Sequence, residues 1–224
     1  EWNYSVSTDV LGRVVEVASG QSLAEFFGSR ILGPLGMTET TFSVPEEEAP
    51  RLAALYGVGR EGKASRLDSM GQAARRRPAL FSGGGGLIST AGDYQRLLSM
   101  LLDFEDSPAG SLEDVRLLSP RTVRFMGRNH LPGGADLKRF GRPLFAETPF
   151  DGTGFGLGFA VVLDPVPGKV DASPGELSWG GAASTAFWVD QAEGITASFF
   201  TQLLPSSTYP IRSQFRQLVY QSLT

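Results

Sequence analysis

Apolar and polar positions follow two different periods along this chain, and the change between them falls near residue 152. Before it the period is helical. Leu11, Val14, Val15 and Ala18 recur at the spacing of one helix face, Ser7 or Thr8 stands where an N-cap belongs, and Gly20 is placed to end the helix. Ser22-Leu23-Ala24-Glu25 has the form of a capping box, opening a second helix through Phe26, Phe27 and Ile31 to Gly33-Pro34. Thr90 and Asp93 predict a capping pair for a third, with Leu97, Leu98, Leu101 and Leu102 as its buried stripe, and a fourth is expected from Pro120 to Met126. Between 36 and 79 no period emerges. There the acidic run Glu46-Glu47-Glu48 and the basic run Arg75-Arg76-Arg77 read as solvated surface.

From Gly152 the period shortens. Gly152, Gly154, Gly156 and Gly158 alternate with larger residues, so a strand here carries glycine on one face and something packs closely against it. Val161 to Leu163, Ala183 to Val189 and Ile195 to Thr201 read as further strands, with Asp190 to Gly194 as a hairpin connection. Ile211, Phe215, Leu218 and Val219 then return to helical spacing and are expected to cover one face of the sheet. Helices first and an antiparallel sheet last describe an α+β chain. Its expected parts are residues 1–126, mainly helical; 127–151, a Gly- and Pro-rich loop or lid; and 152–224, sheet strands and a terminal helix.

Composition narrows the chemistry. The net charge of −4 offers no basic footprint for nucleic acid, and no run of apolar residues is long enough to span a membrane. There is no cysteine and a single histidine, His130, in a Gly- and Pro-rich setting that suggests an exposed loop residue. Thiolate metal sites and His-rich metal centres are thereby excluded, and neither a metal nor a cofactor is expected. The glycine-rich run Gly83 to Gly86 lacks the nucleotide-binding patterns and reads as a turn in which backbone passes close to backbone.

What remains is Tyr4-Ser5-Val6-Ser7 just before a helix and Trp179-Gly180-Gly181-Ala182 at the start of a strand. Together with Trp2 to Gly12, Ile31 to Met37, Gly83 to Asp93 and Phe187 to Asp190, these blocks resemble the serine beta-lactamase-related superfamily. Within it they are most similar to the family VIII carboxylesterases, which are related to class C beta-lactamases. The resemblance covers nearly the whole chain and implies an α/β sandwich with an antiparallel sheet and a mainly helical part.

The resemblance also implies a mechanism. Its nucleophile is the serine of a Ser-x-x-Lys motif, and this chain has none: the residues three before Lys63, Lys138 and Lys169 are Arg60, Ala135 and Val166. The motif is therefore expected upstream of Glu1, on an N-terminal segment or a companion chain, which leaves this chain with half an active site and an incomplete core. Tyr4 takes the place of the family's tyrosine, which relays the serine proton, with Ser5 and Ser7 beside it. A free phenol, with a pKa near 10, is a poor base unless a cation such as the family lysine stabilises its phenolate. Without that context, Tyr4 would read as a core aromatic packed with Trp2. Trp179, Gly180 and Gly181 occupy the place of the beta-lactamases' Lys-Thr-Gly, and the Ala182 amide that of an oxyanion donor. A tryptophan cannot pair with a substrate carboxylate as that lysine does, and Val6 replaces the family's asparagine; both tilt the expectation toward uncharged esters. Phe140, Phe145 and Phe150 suggest a pocket wall for apolar acyl groups.

A serine carboxylesterase acting on small esters through an acyl-enzyme, in a cytoplasmic setting, is thus the expectation. Acyl transfer, beta-lactam hydrolysis and cleavage of D-amino-acid amides keep the same machinery, and a non-catalytic binding module keeps the fold alone.

Overall fold

The computed structural model describes residues 1–102, 115–142, 150–165 and 171–223. Among these residues the α-helices are α1 (Ser7–Ser19), α2 (Leu23–Phe27, continued by a wide turn to Leu32), α3 (Asp68–Gly71), α4 (Ala91–Leu102), α5 (Pro120–Met126), α6 (Leu137–Phe140) and α7 (Ile211–Gln221). The strands among them are β1 (Tyr56–Val58), β2 (Ala64–Arg66), β3 (Thr153–Phe155), β4 (Ala160–Val162), β5 (Leu177–Gly180), β6 (Ala186–Asp190), β7 (Ile195–Phe199) and β8 (Leu203–Leu204). Strands β3 to β7 form one antiparallel sheet in chain order, as the alternating pattern predicts.

Residues of β6 point alternately to the two faces of that sheet, and each face finds a helix. Val189 joins Leu98 and Leu101 of α4, Val123 of α5, Val161 and Leu177 in the main core. Trp188, on the opposite face, meets Phe215 and Tyr220 of α7 with ring centroids 5.5 and 6.5 Å apart. The result is a sheet between two helical layers. Asp190 ends β6 by accepting the amides of Ala192 and Glu193 at 3.0 and 3.1 Å, and Gly194 completes the hairpin at φ +67°. Both capping residues of the Ser22 box make their bonds, and Ser119 caps α5 as its position before Pro120 suggests.

Several expectations need correction. The α1 helix begins at Ser7 behind Val6, with no side-chain cap, because the N-cap valine carries no acceptor; the Ser5 and Ser7 hydroxyls bond each other at 2.6 Å. Its stripe is not a buried one: Leu11 and Val14 are exposed, and Gly12, pressed against Leu23 and Gly83, is the buried residue of this helix. The Thr90–Asp93 pair is made on one side only: the Asp93 amide donates to the Thr90 hydroxyl at 3.2 Å, as expected, while the Asp93 carboxylate takes the Glu39 amide and the Thr40 hydroxyl, each at 2.8 Å, and ties that segment to α4. The 36–79 stretch contains β1 and β2, which pair with each other and then, through β1, in parallel with β8. Residues Thr153–Phe155 alone of the glycine-alternating run form a strand, and β6 starts at Ala186 because residues 181–185 are used in a turn. Leu218 is turned to solvent, so α7 covers the sheet through Phe215, Val219 and Tyr220 instead. Residues 127–151 carry α6, whose Leu137 is buried; Phe145 falls outside the described residues.

Candidate active site

The first residues of the chain are held by its later half. Trp2 donates its amide to the Phe140 carbonyl at 2.8 Å and accepts the Arg142 amide at 3.3 Å, a strand-like bridge beside Gly141. Its indole meets Phe155 at 4.9 Å and Trp179 at 6.3 Å, and Phe155 meets Trp179 at 5.4 Å. Tyr4, two residues on, stacks over Trp179 with centroids 5.9 Å apart and planes 24° from parallel. A cluster of four rings thus joins the N-terminal segment to β3 and β5. Tyr4 lies at its edge, 42% exposed, so its hydroxyl-bearing ring is not sealed into the core. Offset stacking of this kind adds about 1 kcal/mol to the burial of the rings.

Phe155 was not singled out by sequence reasoning, although the glycine alternation contained the signal. A Cβ at Gly154 would lie 2.5 Å from the Asn129 side chain and one at Gly156 would lie 2.2 Å from the Met126 carbonyl oxygen. The glycine face is therefore pressed against the segment after α5, and the intervening Phe155 turns toward Trp2 and Trp179.

Behind Tyr4, the glycine-rich loop docks on the first turn of α1. Asp9 accepts the Ser82 hydroxyl and, at 3.3 Å, the Gly84 amide, while a Cβ at Gly83 would sit 2.4 Å from the Thr8 carbonyl oxygen. Close backbone approach is what requires glycine here. Ser7 donates its amide to the Ser5 hydroxyl at 3.2 Å, so both serines are engaged at the head of α1.

Trp179, Gly180 and Gly181 stand at the end of β5, not at the start of a strand, because Leu177–Gly180 already pairs with Ala186–Val189. Gly181 and Thr185 close the turn: the Gly181 amide donates to the Thr185 carbonyl at 3.0 Å and the Ser184 amide to the Gly181 carbonyl at 3.1 Å. Ser184 takes φ +70°, and its hydroxyl donates to the Leu203 carbonyl at 2.7 Å. The Ala182 amide, at the tip, makes no hydrogen bond among the described residues. Phe150 is half-buried against Gly141, where it backs the segment that holds Trp2, and it does not join the Tyr4–Trp179 stack.

Other titratable groups stay outside this cluster. His130 is exposed, with its ring against Phe125 and Nε2 2.7 Å from the Phe125 carbonyl. Burial pushes the Tyr94 phenol up to about 12 and leaves it between Phe187 and Phe200. No cluster of potential metal ligands occurs among the described residues, and no described helix is long and apolar enough to cross a membrane.

Known proteins resemble this chain in sequence and in fold. The chain is 36% identical over 206 residues to Protein Rv1367c of Mycobacterium tuberculosis, covering 90% of this chain and 49% of that protein. It is 30% identical over 235 residues to esterase EstB of Burkholderia gladioli, covering 98% and 54%. Among solved structures, EstCE1, a hydrolase with promiscuous acyltransferase activity, superposes with a TM-score of 0.79 at 25% identity over 98% of this chain and 56% of that one. The chain therefore spans about half the length of the relatives it matches. With its sheet, its helical layers and a match of the beta-lactamase family model over residues 1–221, this chain belongs to the beta-lactamase family.

Proposed function

We propose that this chain forms the Tyr4 and Ala182 side of a serine carboxylesterase active site. The Ser-x-x-Lys nucleophile would lie on the part of the family's length that this chain does not span, in the same polypeptide, since the relatives carry the matched region as about half of one chain. The observation that carries the reading is the stack of Tyr4 on Trp179, one residue from the Gly180-Gly181-Ala182 turn. The stack supports the reading because it joins a phenol to an apolar ring at the end of the strand that leads into Ala182, whose amide makes no hydrogen bond among the described residues.

The chemistry follows from those groups. The serine oxygen attacks the ester carbonyl carbon, and the carbonyl oxygen becomes an oxyanion that the Ala182 N–H stabilises. The lysine charge favours the Tyr4 phenolate, which accepts the serine proton. As the carbon–oxygen bond breaks, Tyr4 returns that proton to the leaving alkoxide, releasing the alcohol and leaving an acyl-enzyme. Water, deprotonated by the same phenolate, then frees the acid. Trp179 offers ring surface where a lysine would offer charge, which favours uncharged esters over carboxylate-bearing lactams. Phe140 and Phe150, the described aromatic residues of 127–151, would supply part of the pocket wall.

The test is intact mass of the full-length protein with a fluorophosphonate, alongside turnover of p-nitrophenyl butyrate. One adduct on a Ser-x-x-Lys serine, and a fall of about 10²- to 10⁴-fold in kcat for Tyr4→Phe, are expected. An unlabelled, folded protein would leave a binding module, and an unchanged rate in the variant would remove Tyr4 from the relay. Turnover accelerated by added alcohol, with ester formed in place of acid, would favour acyl transfer, the second activity named for EstCE1.

A further inference from the structure

Arg212, on the first turn of α7, reaches across the sheet to the turn that carries Ala182. Its Nη2 donates to the Gly181 carbonyl and, at 2.7 Å, to the Thr185 carbonyl, the two oxygens that frame the turn. The fit is specific to glycine at the neighbouring position: a Cβ on Gly180 would lie 2.6 Å from the Arg212 guanidinium carbon. A side chain there would expel the guanidinium from its seat.

The Gly181 carbonyl and the Ala182 N–H belong to one peptide group. In a trans peptide they point in opposite directions, so fixing the oxygen on Arg212 fixes the direction of the N–H, away from α7. A cationic donor on the oxygen also draws electrons through the amide and makes the N–H a stronger donor. No other cation in the described structure bonds either carbonyl. Ser184 takes φ +70°, a conformation that L-residues seldom hold without support, and its bonds to the Leu203 and Gly181 carbonyls supply it.

We infer that Arg212 is a positioning residue that aims and polarises the Ala182 amide for oxyanion stabilisation. The inference rests on the serine esterase reading above and adds to it a residue that touches no substrate.

Two readouts on the full-length protein test it. The first is the Ala182 amide proton shift in Arg212→Gln and Arg212→Lys, which reports polarisation of the peptide group whether or not the protein is an esterase; an upfield move in the Gln variant, smaller in the Lys variant, is expected. The second is p-nitrophenyl butyrate kinetics with a trifluoromethyl ketone as oxyanion mimic. Arg212→Gln should lower kcat by about 10- to 100-fold with KM within about threefold of wild type, weaken the ketone in proportion, and be partly rescued by Lys. An unmoved Ala182 resonance overturns the inference. So does a moved resonance with unchanged kcat while Tyr4→Phe is inactive, which leaves the esterase reading intact. So, too, does a loss of kcat matched by a rise in KM and a lower melting temperature. A wild-type protein with neither turnover nor fluorophosphonate adduct fails the esterase reading itself, and the catalytic role of Arg212 with it.

Discussion

On the α7 face of the sheet, two carboxylates and one phenol share hydrogen bonds. The Tyr220 hydroxyl lies 2.8 Å from Glu176 and 2.6 Å from Asp190. That hydroxyl donates toward both carboxylates, and Glu176 also accepts from Arg216. Burial raises the Glu176 pKa against the opposing pull of Arg216 and Tyr220. Burial would raise Asp190 too, but the Tyr220 hydroxyl and the amides of Glu193 and Ser173 outweigh it and hold the carboxyl low. A raised carboxyl pKa in the folded state adds stability that is fully present below the unfolded value of 4.5 and is lost as pH climbs through the folded value. Asp190 acts in the opposite sense, its contribution being lost as pH falls below 3.8. Arg216 bonds Glu176 and caps the Trp188 ring at 4.6 Å. Replacing it with Met should therefore cost about 3 kcal/mol at pH 8, where the buried carboxylate is left unpaired, and clearly less at pH 5, where Glu176 can take a proton. Urea midpoints at the two pH values decide this; equal losses would mean that Glu176 does not change its charge.

At the scale of elements, α1 presents an unusual surface for a helix that is otherwise well placed. Val10, Leu11, Val14 and Val17 lie along one side of it at 55% to 70% exposure. The periodicity that predicts the helix also predicts that this side is buried, and the period is right while the burial is not. In the 224-residue chain, charging the stripe with Leu11→Lys and Val14→Glu should reduce binding of a hydrophobic dye and change stability by no more than about 0.5 kcal/mol. In a full-length protein whose other half covers α1, the same pair should destabilise. A melting temperature that moves equally in both settings would contradict a free stripe. Legibility in the sequence follows the reach of the signal. Capping residues and Gly20 act within one turn, so α1, α2, α4 and α5 could be placed from local chemistry. The three-residue β1 is defined by pairing with Leu203 and Leu204 far along the chain, and nothing near Tyr56 announces it. Tyr4 and Trp179 were named through a family pattern, but their stacking, the turn of Phe155 toward them and the reach of Arg212 depend on strands meeting across the fold.

For the whole molecule, the candidate site is assembled from both ends of the chain. Trp2 and Tyr4 reach β5 through ring contacts, while α7 holds the far side of the same sheet through Phe215, Arg216 and Tyr220 and the β5–β6 turn through Arg212. Without α7 the sheet would expose Trp188 and Phe199 and leave Glu176 without Arg216. Each half-buried ring or aliphatic chain of α7 contributes about 1 kcal/mol, and an uncompensated buried carboxylate costs several more. Against a typical total stability of about 5 to 15 kcal/mol, that loss is enough to undo the cooperative fold. Ending the chain after Pro210 should therefore abolish the sharp unfolding transition and the near-ultraviolet signal of Trp188, not merely weaken a site at the far side of the sheet. The opposite result would be a truncated chain that still melts cooperatively with Trp188 shielded from a soluble quencher. It would show that α4 and α5 alone hold the sheet together and that α7 serves the turn at Ala182 and little else.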